Sequence, residues 1–328
     1  MASRALTSKS TSKPKKPTSK PKPNKVAALD PARRQALLEA VLAEPDSDGP
    51  RRVYADALIG AGDPRGDFIA VQCELAARGN LTEREDPKSK PLWTRFRELH
   101  SKHSAKWTKP LRALGKPTKW QFHRGFVRAL ALDCWSETLT PAGLAAILAT
   151  EPVLDLELGG SEATITALLD VAGIERLRRL GIYSQGAFVA QAPAAAPRLT
   201  AVTELRLGIA LDDAGLDALA GTTGLRSVRH LAIAMSTCSD AAFARLASSR
   251  LGRQLETFEW CRAEVTAGMA AAVVAMPALT TFVASTGWCD SSSHVLRARF
   301  EDRFVVESEA GDDYVLGGVP GVSQRVIA

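Results

Sequence analysis

The sequence predicts an α/β protein in which a solenoid of short parallel strands and covering helices follows a small all-α domain and a disordered basic tail. Three observations lead there. An apolar triplet, with two residues between its first and second members and one between its second and third, recurs seven times from Val127 to Ala284, its centres 24 to 27 residues apart. The dipeptides Asp30-Pro31 and Asp63-Pro64 each open a helical pattern, since Asp caps a helix and Pro suits its first position. Residues 1–26 are almost wholly Lys, Pro, Ser and Thr, with nothing to bury. With 328 residues, 45% of them hydrophobic, the chain can fill about two domains.

The elements follow in order. Residues 1–26 carry Arg4 and seven Lys with no acid, and are expected to be disordered. A helical domain is expected over 30–104. Its first helix presents Leu37, Leu38, Val41 and Leu42 and ends near Glu44-Pro45. The second starts near Pro50, turns Val53, Tyr54, Ala57 and Leu58 inward, and stops around Gly60 and Gly62. The third carries Phe68, Ile69, Cys73 and Leu75 and is closed by Gly79; the fourth, roughly 90–104 by its apolar spacing, places Leu92, Trp93, Phe96, Leu99 and His103 on one side. Residues 105–125 read as a basic, aromatic linker or edge cap.

Residues 126–290 hold the repeats, and 291–328 are expected to cap them. The triplets are Val127/Leu130/Leu132, Val153/Leu156/Leu158, Leu177/Leu180/Ile182, Val202/Leu205/Leu207, Val228/Leu231/Ile233, Leu255/Phe258/Trp260 and Leu279/Phe282/Ala284. Each alternates as a strand does, and helix-like runs follow most of them, from Pro141, Ala163, Asp213, Asp240 and Val265. A unit this short cannot bury its own apolar side and must stack on its neighbours.

Two resemblances follow. The triplets resemble the L-x-x-L-x-L core of leucine-rich repeats, which implies strands on a concave side and helices on a convex side. Where that family carries Asn or Cys, this chain has Trp135, Ser161, Gln185, Ala210, Ser236, Ala263 and Gly287. The segment from Ala36 to Ala76 is similar to the repeat-companion domain of bacteria, a helical module that precedes repeat arrays. The similarity rests on Glu44-Pro45, Arg52, Tyr54-Ala55-Asp56, Gly62-Asp63-Pro64-Arg65-Gly66, Phe68-Ile69 and Gln72, with Ala57 where the family commonly has Trp. It implies no known reaction.

Charge is segregated. Residues 87–125 hold eleven bases against Glu98 alone, while 126–328 hold sixteen bases against twenty-three acids, so the net +6 describes the front of the chain. This disfavours a globally basic nucleic-acid reader. Five scattered Cys without a C-x-x-C suggest neither a disulfide framework nor zinc, and a cytoplasmic location is expected. No apolar run follows Arg4 as a secretory signal requires. The uncharged stretch from Val265 to Cys289 is too rich in Ala, Ser and Thr, and too interrupted by Pro277, to read as a membrane span. No nucleophile elbow, phosphate-binding glycine loop or H-E-x-x-H pair occurs, so no catalytic residue, metal site or cofactor is expected.

The candidate sites each carry two readings. Tyr54-Ala55-Asp56 and Asp63-Pro64-Arg65-Gly66-Asp67 form either a recognition surface or, on the stronger reading, a cap, a backbone requirement at Gly66 and an Arg65–Asp56 ion pair. His100 and His103 read as boundary residues of a core, because no acidic or Cys cluster accompanies them. Lys106, Lys109, Lys116 and Lys119 interleave with Trp107, Trp120 and Phe122, a pattern that suits phosphates and stacked bases; the competing reading docks the aromatics against the first strand and leaves the Lys in water. Lys13, Lys15, Lys16, Lys20 and Lys22 in the tail either contact a polyanion or solubilise the chain.

Along the concave face three columns are expected. One runs Ala129, Asp155, Arg179, Glu204, His230, Thr257, Thr281; the second includes Glu157, Gly181, Arg206 and Glu259; the third includes Gly159, Tyr183 and Gly208. Asp155, Arg179 and Glu204 should make an alternating ladder, and Tyr183 should lie in a lane of missing side chains. Tyr183, Arg179, Arg206, Glu204 and His230 are therefore the expected contacts of a protein or peptide partner. The leading expectation is a non-catalytic interaction scaffold, with polyanion or nucleic-acid association through the tail and the 106–124 segment as the alternative.

Overall fold

The computed structural model describes residues 28–80, 85–113, 117–133, 139–187, 197–234, 236–261, 264–285 and 293–307. The basic tail, Lys116 and most of the expected C-terminal cap lie outside these residues. The fold is mixed α/β: helices lead into an open nine-stranded sheet whose strands lie side by side in sequence order.

The front helices are α1 (Pro31–Ala43), α2 (Asp48–Gly60), α3 (Pro64–Ala77) and α4 (Lys90–Trp107), followed by the short α5 (Lys109–Ala113). Both Asp-Pro devices work as read: the Asp30 carboxylate accepts from the Arg33 amide and Asp63 from the Arg65 amide. Gly66 lets α3 cross α2 closely, because a Cβ there would sit 2.6 Å from the Ala55 carbonyl oxygen. The second helix departs from expectation. It begins at Asp48 and buries Arg51, Tyr54, Ala55 and Leu58, so Val53 is left 55% exposed and Ala57 only half-buried. The phase is set by Arg51, whose guanidinium lies 5.2 Å from the Phe126 ring centre and donates to the Pro45 carbonyl at 2.6 Å.

The segment expected as a linker or edge cap forms an edge strand. Strand β1 (Pro117–His123) pairs antiparallel with β2 (Phe126–Asp133) through a two-residue turn at Arg124 and Gly125. Both turn residues have positive φ, 50° and 84°, the conformation that matches the twist of a hairpin. The helical module shares its interior with this hairpin. Phe126 joins Leu38, Val41, Tyr54, Leu58, Ile69 and Cys73 in one cluster, and Phe122 packs on Phe68, Leu99 and Trp107 in another.

Strands β3 (Asp155–Gly159), β4 (Arg179–Ala187), β5 (Glu204–Ala210), β6 (His230–Ala234), β7 (Thr257–Cys261) and β8 (Thr281–Ser285) then pair in parallel, each with the one before. The expected register holds at every step: Leu130, Leu156, Leu180, Leu205, Leu231, Phe258 and Phe282 are successive partners. A ninth strand, β9 (Phe304–Glu307), pairs with β8 within the expected cap. Helices α6 (Pro141–Leu148), α7 (Glu162–Leu169), α8 (Asp213–Ala220), α9 (Asp240–Ser248), α10 (Arg250–Gln254), α11 (Ala267–Val274) and α12 (Ser293–Phe300) cover one side of the sheet. Their apolar faces and the inward strand residues form one continuous core. Among the described residues no helix is long and apolar enough to cross a membrane, and the stretch from Val265 holds the eight-residue α11 and then strand β8, with 286–289 outside the described residues.

Adjacent units are stitched together at their helix starts. Thr140, Ser161, Asp212, Ser239 and Thr266 each cap a helix with the side chain, accepting from the amide three residues on. The first-turn acid of one unit then receives the cap of the next. Asp213 accepts from both the amide and hydroxyl of Ser239, each at 2.7 Å, and Asp240 accepts from the Thr266 hydroxyl. Of the positions where leucine-rich repeats carry Asn, Ser236 is buried and its hydroxyl accepts from the Leu211 amide at 3.2 Å. Ser161 caps α7 instead. Short polar side chains at helix starts thus take over inter-unit bonding in a chain with only two Asn.

Candidate functional site

The face of the sheet opposite the helices carries the expected columns. Asp155, Arg179, Glu204, His230, Thr257 and Thr281 are successive register partners, as are Glu157, Gly181, Arg206, Ala232 and Glu259. The charges form a longer network than the expected ladder. Glu204 accepts from Arg179 Nε at 2.7 Å and from Arg206 Nε at 2.6 Å; Arg206 Nη2 lies 3.8 Å from Glu259, which meets His230 Nε2 at 2.6 Å. Burial alone would raise the Glu204 and Glu259 carboxyls, but Arg206 and Arg179 hold the first below its usual range, and His230 and Arg206 the second. The expected Asp155–Arg179 rung does not form an ion pair: Asp155 meets Arg128 Nε at 3.8 Å while Arg179 turns to Glu204, and burial raises the carboxyls of Asp155 and Glu157.

Tyr183 lies flat rather than upright. A Cβ on Gly208 would overlap its ring, and one on Gly181 would come within 3.2 Å of Cε2. The glycine lane is therefore filled by the tyrosine itself. Burial, then the charge of Glu157, pushes its phenol up to about 12. One ring face is spent on the glycines, and the half-buried side chain has its other side toward the open face. Tyr183, Arg179, Arg206, Glu204 and His230 thus share one face, with Glu204 as the electrostatic hub.

The motif-like residues of the helical module are occupied within the chain. Arg65 does not pair with Asp56. Its Nη2 meets Glu151 at 2.9 and 3.1 Å, its Nε donates to the Gly125 carbonyl at 3.0 Å, and its guanidinium lies 5.3 to 5.8 Å from the rings of Phe126, Trp107 and Phe122. Glu151 also accepts from the Val127 amide at 2.7 Å, and Gln72 accepts from the Gly125 amide at 2.5 Å. Arg51 donates to the Arg124 carbonyl at 3.4 Å. These groups make a socket for the hairpin tip. A Cβ on Gly125 would overlap Ile69, so the tip enters only as glycine. Asp63 pairs with Arg34 and Asp67 with Arg95. Sequence reasoning missed Arg51, Gln72 and Glu151 as a group; the signal was a charged residue at each of two otherwise apolar positions, Arg51 and Glu151.

The two candidate histidines are packed among aromatics: His100 stacks on Phe96 at 5.7 Å, and His103 lies 5.7 Å from Trp107. No group of three potential metal ligands occurs among the described residues. His123, at the hairpin, has its pKa lowered to about 4 by burial and then by Arg128, Arg124 and Arg51. Its folded value lies below the unfolded one, near 6.5, so the unfolded chain binds more protons between these values and stability is lost as pH drops through them. The expected loss from pH 7 to pH 4 is up to about 3 kcal/mol from this residue. Urea unfolding of the wild type and His123→Gln at both pH values checks it, and equal losses in the two proteins would contradict it.

In the basic segment Trp107 and Phe122 are docked in the core as expected, while Lys106, Lys109 and Lys119 are exposed. Lys119 and Pro117 lie on the edge strand, where Lys and Pro also discourage pairing with another chain. The tail lysines Lys13, Lys15, Lys16, Lys20 and Lys22 lie outside the described residues, as does Lys116. Compared with known proteins, the chain matches no family model and no curated protein.

Proposed function

We propose that the chain is a non-catalytic interaction scaffold: a repeat-companion-like helical module closing one edge of a leucine-rich-like solenoid whose open face binds a protein or peptide. The supporting observation is the sheet face that no helix covers among the described residues, where seven strands present their outward residues in matching columns. Its centre offers the exposed side of the Tyr183 ring beside Arg179, 42% exposed, and Arg206, 26% exposed. Tyr and Arg are the residue types that dominate interface energies. The Glu204 network holds both arginines in place before any partner arrives, which lowers the ordering cost of binding. The helical module contributes rigidity, because its polar motif is engaged with the hairpin.

A partner captured with the chain tests this. Tyr183→Ala should weaken binding by about 1–3 kcal/mol in a titration, with little change in melting temperature. Arg179→Ala should cost less, since Glu204 keeps Arg206 as a second partner. The groove between α1 and α2, lined by Leu29, Val53, Ala57 and Gly60, is the comparison surface. Loss of binding in Val53→Asp with none in Tyr183→Ala would move the interface to the module and overturn the reading.

A further inference from the structure

From Leu99 to Leu132 the chain contains no acid and eight bases, and the seven among the described residues, all but Lys116, fall into two sets. Arg124 is engaged by Asp48 at 3.2 Å and by the Asp46 carbonyl, and Arg128 by Asp46 at 3.6 Å and Asp155 at 3.8 Å. Lys102, Lys106, Lys109, Arg112 and Lys119 are all exposed and have no ion pair among the described residues. The Arg112 guanidinium lies over the Trp120 ring, 6.0 Å from its centre. The last turn of α4 accounts for one such base, since cations suit a helix C-terminus. Five exceed that need. Lys102 and Lys106, one turn apart, point the same way about 6 Å from each other along the axis. Elsewhere in the module four arginines are matched, Arg34 to Asp63, Arg65 to Glu151, Arg78 to Glu74 and Arg95 to Asp67, while the exposed Arg33 and Arg52 stand singly rather than in a cluster.

We propose that the C-terminal half of α4 together with α5 forms a sequence-independent binding surface for the phosphate backbone of a single-stranded nucleic acid, bordered by the edge of β1. This goes beyond the scaffold reading and rests on Lys102, Lys106, Lys109 and Arg112 of α4 and α5; Lys119, the register partner of Ala131, faces the open sheet beside Glu157 and is left out. Lys ammonium groups on flexible stems are point charges that neutralise phosphates without reading bases. β1 is the sheet's first strand, so its outer edge also has backbone amides with no strand beside them. A lipid surface fits less well. Membrane-seated helices bury large apolar side chains, and the exposed large apolar residues, Val53, Ile59 and Val295, lie elsewhere.

The test uses the full chain, a fluorescent oligothymidylate and anisotropy at about 50 and 200 mM salt. Four neutralised phosphates should weaken binding about 50-fold between these conditions, and more if the basic tail also contributes. Lys102→Glu/Lys106→Glu/Lys109→Glu, all solvent-facing, should keep the wild-type melting temperature and flatten the logarithmic salt slope by about 2. Wild-type affinity and slope in this variant would overturn the proposal, as would an oligonucleotide that fails to bind at the lower salt. Tighter binding to phosphatidylserine vesicles or to polyglutamate than to the oligonucleotide would also overturn it. A parallel Tyr183→Ala protein should bind the oligonucleotide normally, which separates this surface from the open sheet face.

Discussion

Leu205→Asp should unfold most of the sheet. Leu205 is fully buried, with Leu180 on one side and Leu231 on the other in the middle of the strand order. An aspartate there loses the packing of a core leucine, about 2–5 kcal/mol, and has no cation within the apolar core to meet. It must either bury a charge or take up a proton against its ordinary pKa, and both are costly. The combined loss should exceed about 3 kcal/mol. Because each strand rests only on its two neighbours, the damage should spread through the units on both sides. Circular dichroism and urea unfolding read the effect. A soluble Leu205→Asp protein with an unchanged spectrum and midpoint would show that Leu205 faces solvent and that the register is wrong.

Arg65→Met should be the most damaging change in the helical module. Arg65 and Glu151 have side chains only 14% and 11% exposed, so this is a desolvated pair rather than a surface contact. Met keeps the stem that packs beneath Phe126 and Trp107, so the loss is confined to the charge and its hydrogen bonds. Removing the guanidinium leaves the Glu151 carboxylate buried with the Val127 amide as its remaining hydrogen-bond donor, and leaves the Gly125 carbonyl without its Arg65 donor. Breaking one side of such a pair typically costs about 3–5 kcal/mol. The hairpin should loosen first, since its tip is what Arg65 holds. Denaturant unfolding together with amide exchange at Gly125 and Val127 measures this. A cost below about 1 kcal/mol would place the pair among ordinary surface contacts.

The repeat half of this fold was legible because its signal is periodic. Each triplet repeats the same inward positions, so one correct phase fixes all of them, and the register pairing of Asp155 with Arg179 and of Arg179 with Glu204 followed without any long-range information. The caps at Asp30 and Asp63 were legible because they act within three residues. The socket was not. Arg65 finds its partners 60 and 86 residues away, at Gly125 and Glu151, and nothing local distinguishes that outcome from a pair with Asp56. Val53 was misplaced because apolar residues were assumed to face inward, whereas the aromatic Phe126 draws the charged Arg51 to that side. Residues 105–125 read as a linker or edge cap, but that β1 is itself a strand was missed, although Lys119, Trp120, Gln121 and Phe122 alternate before Arg124-Gly125. On the open face the columns were predicted correctly, yet the flat pose of Tyr183 depends on how glycines on two neighbouring strands admit its ring.

The central claim is that the helical module and the sheet form one unit joined at the hairpin tip, and a double-mutant cycle between Arg65 and Glu151 tests it most directly. Unfolding free energies of the wild type, Arg65→Met, Glu151→Gln and the double variant isolate the pair from everything else each residue touches. The expected interaction energy is at least about 2 kcal/mol, with the double variant more stable than the sum of the single losses would allow, because removing both charges leaves neither buried alone. Additive losses, within about 0.5 kcal/mol, would contradict the claim.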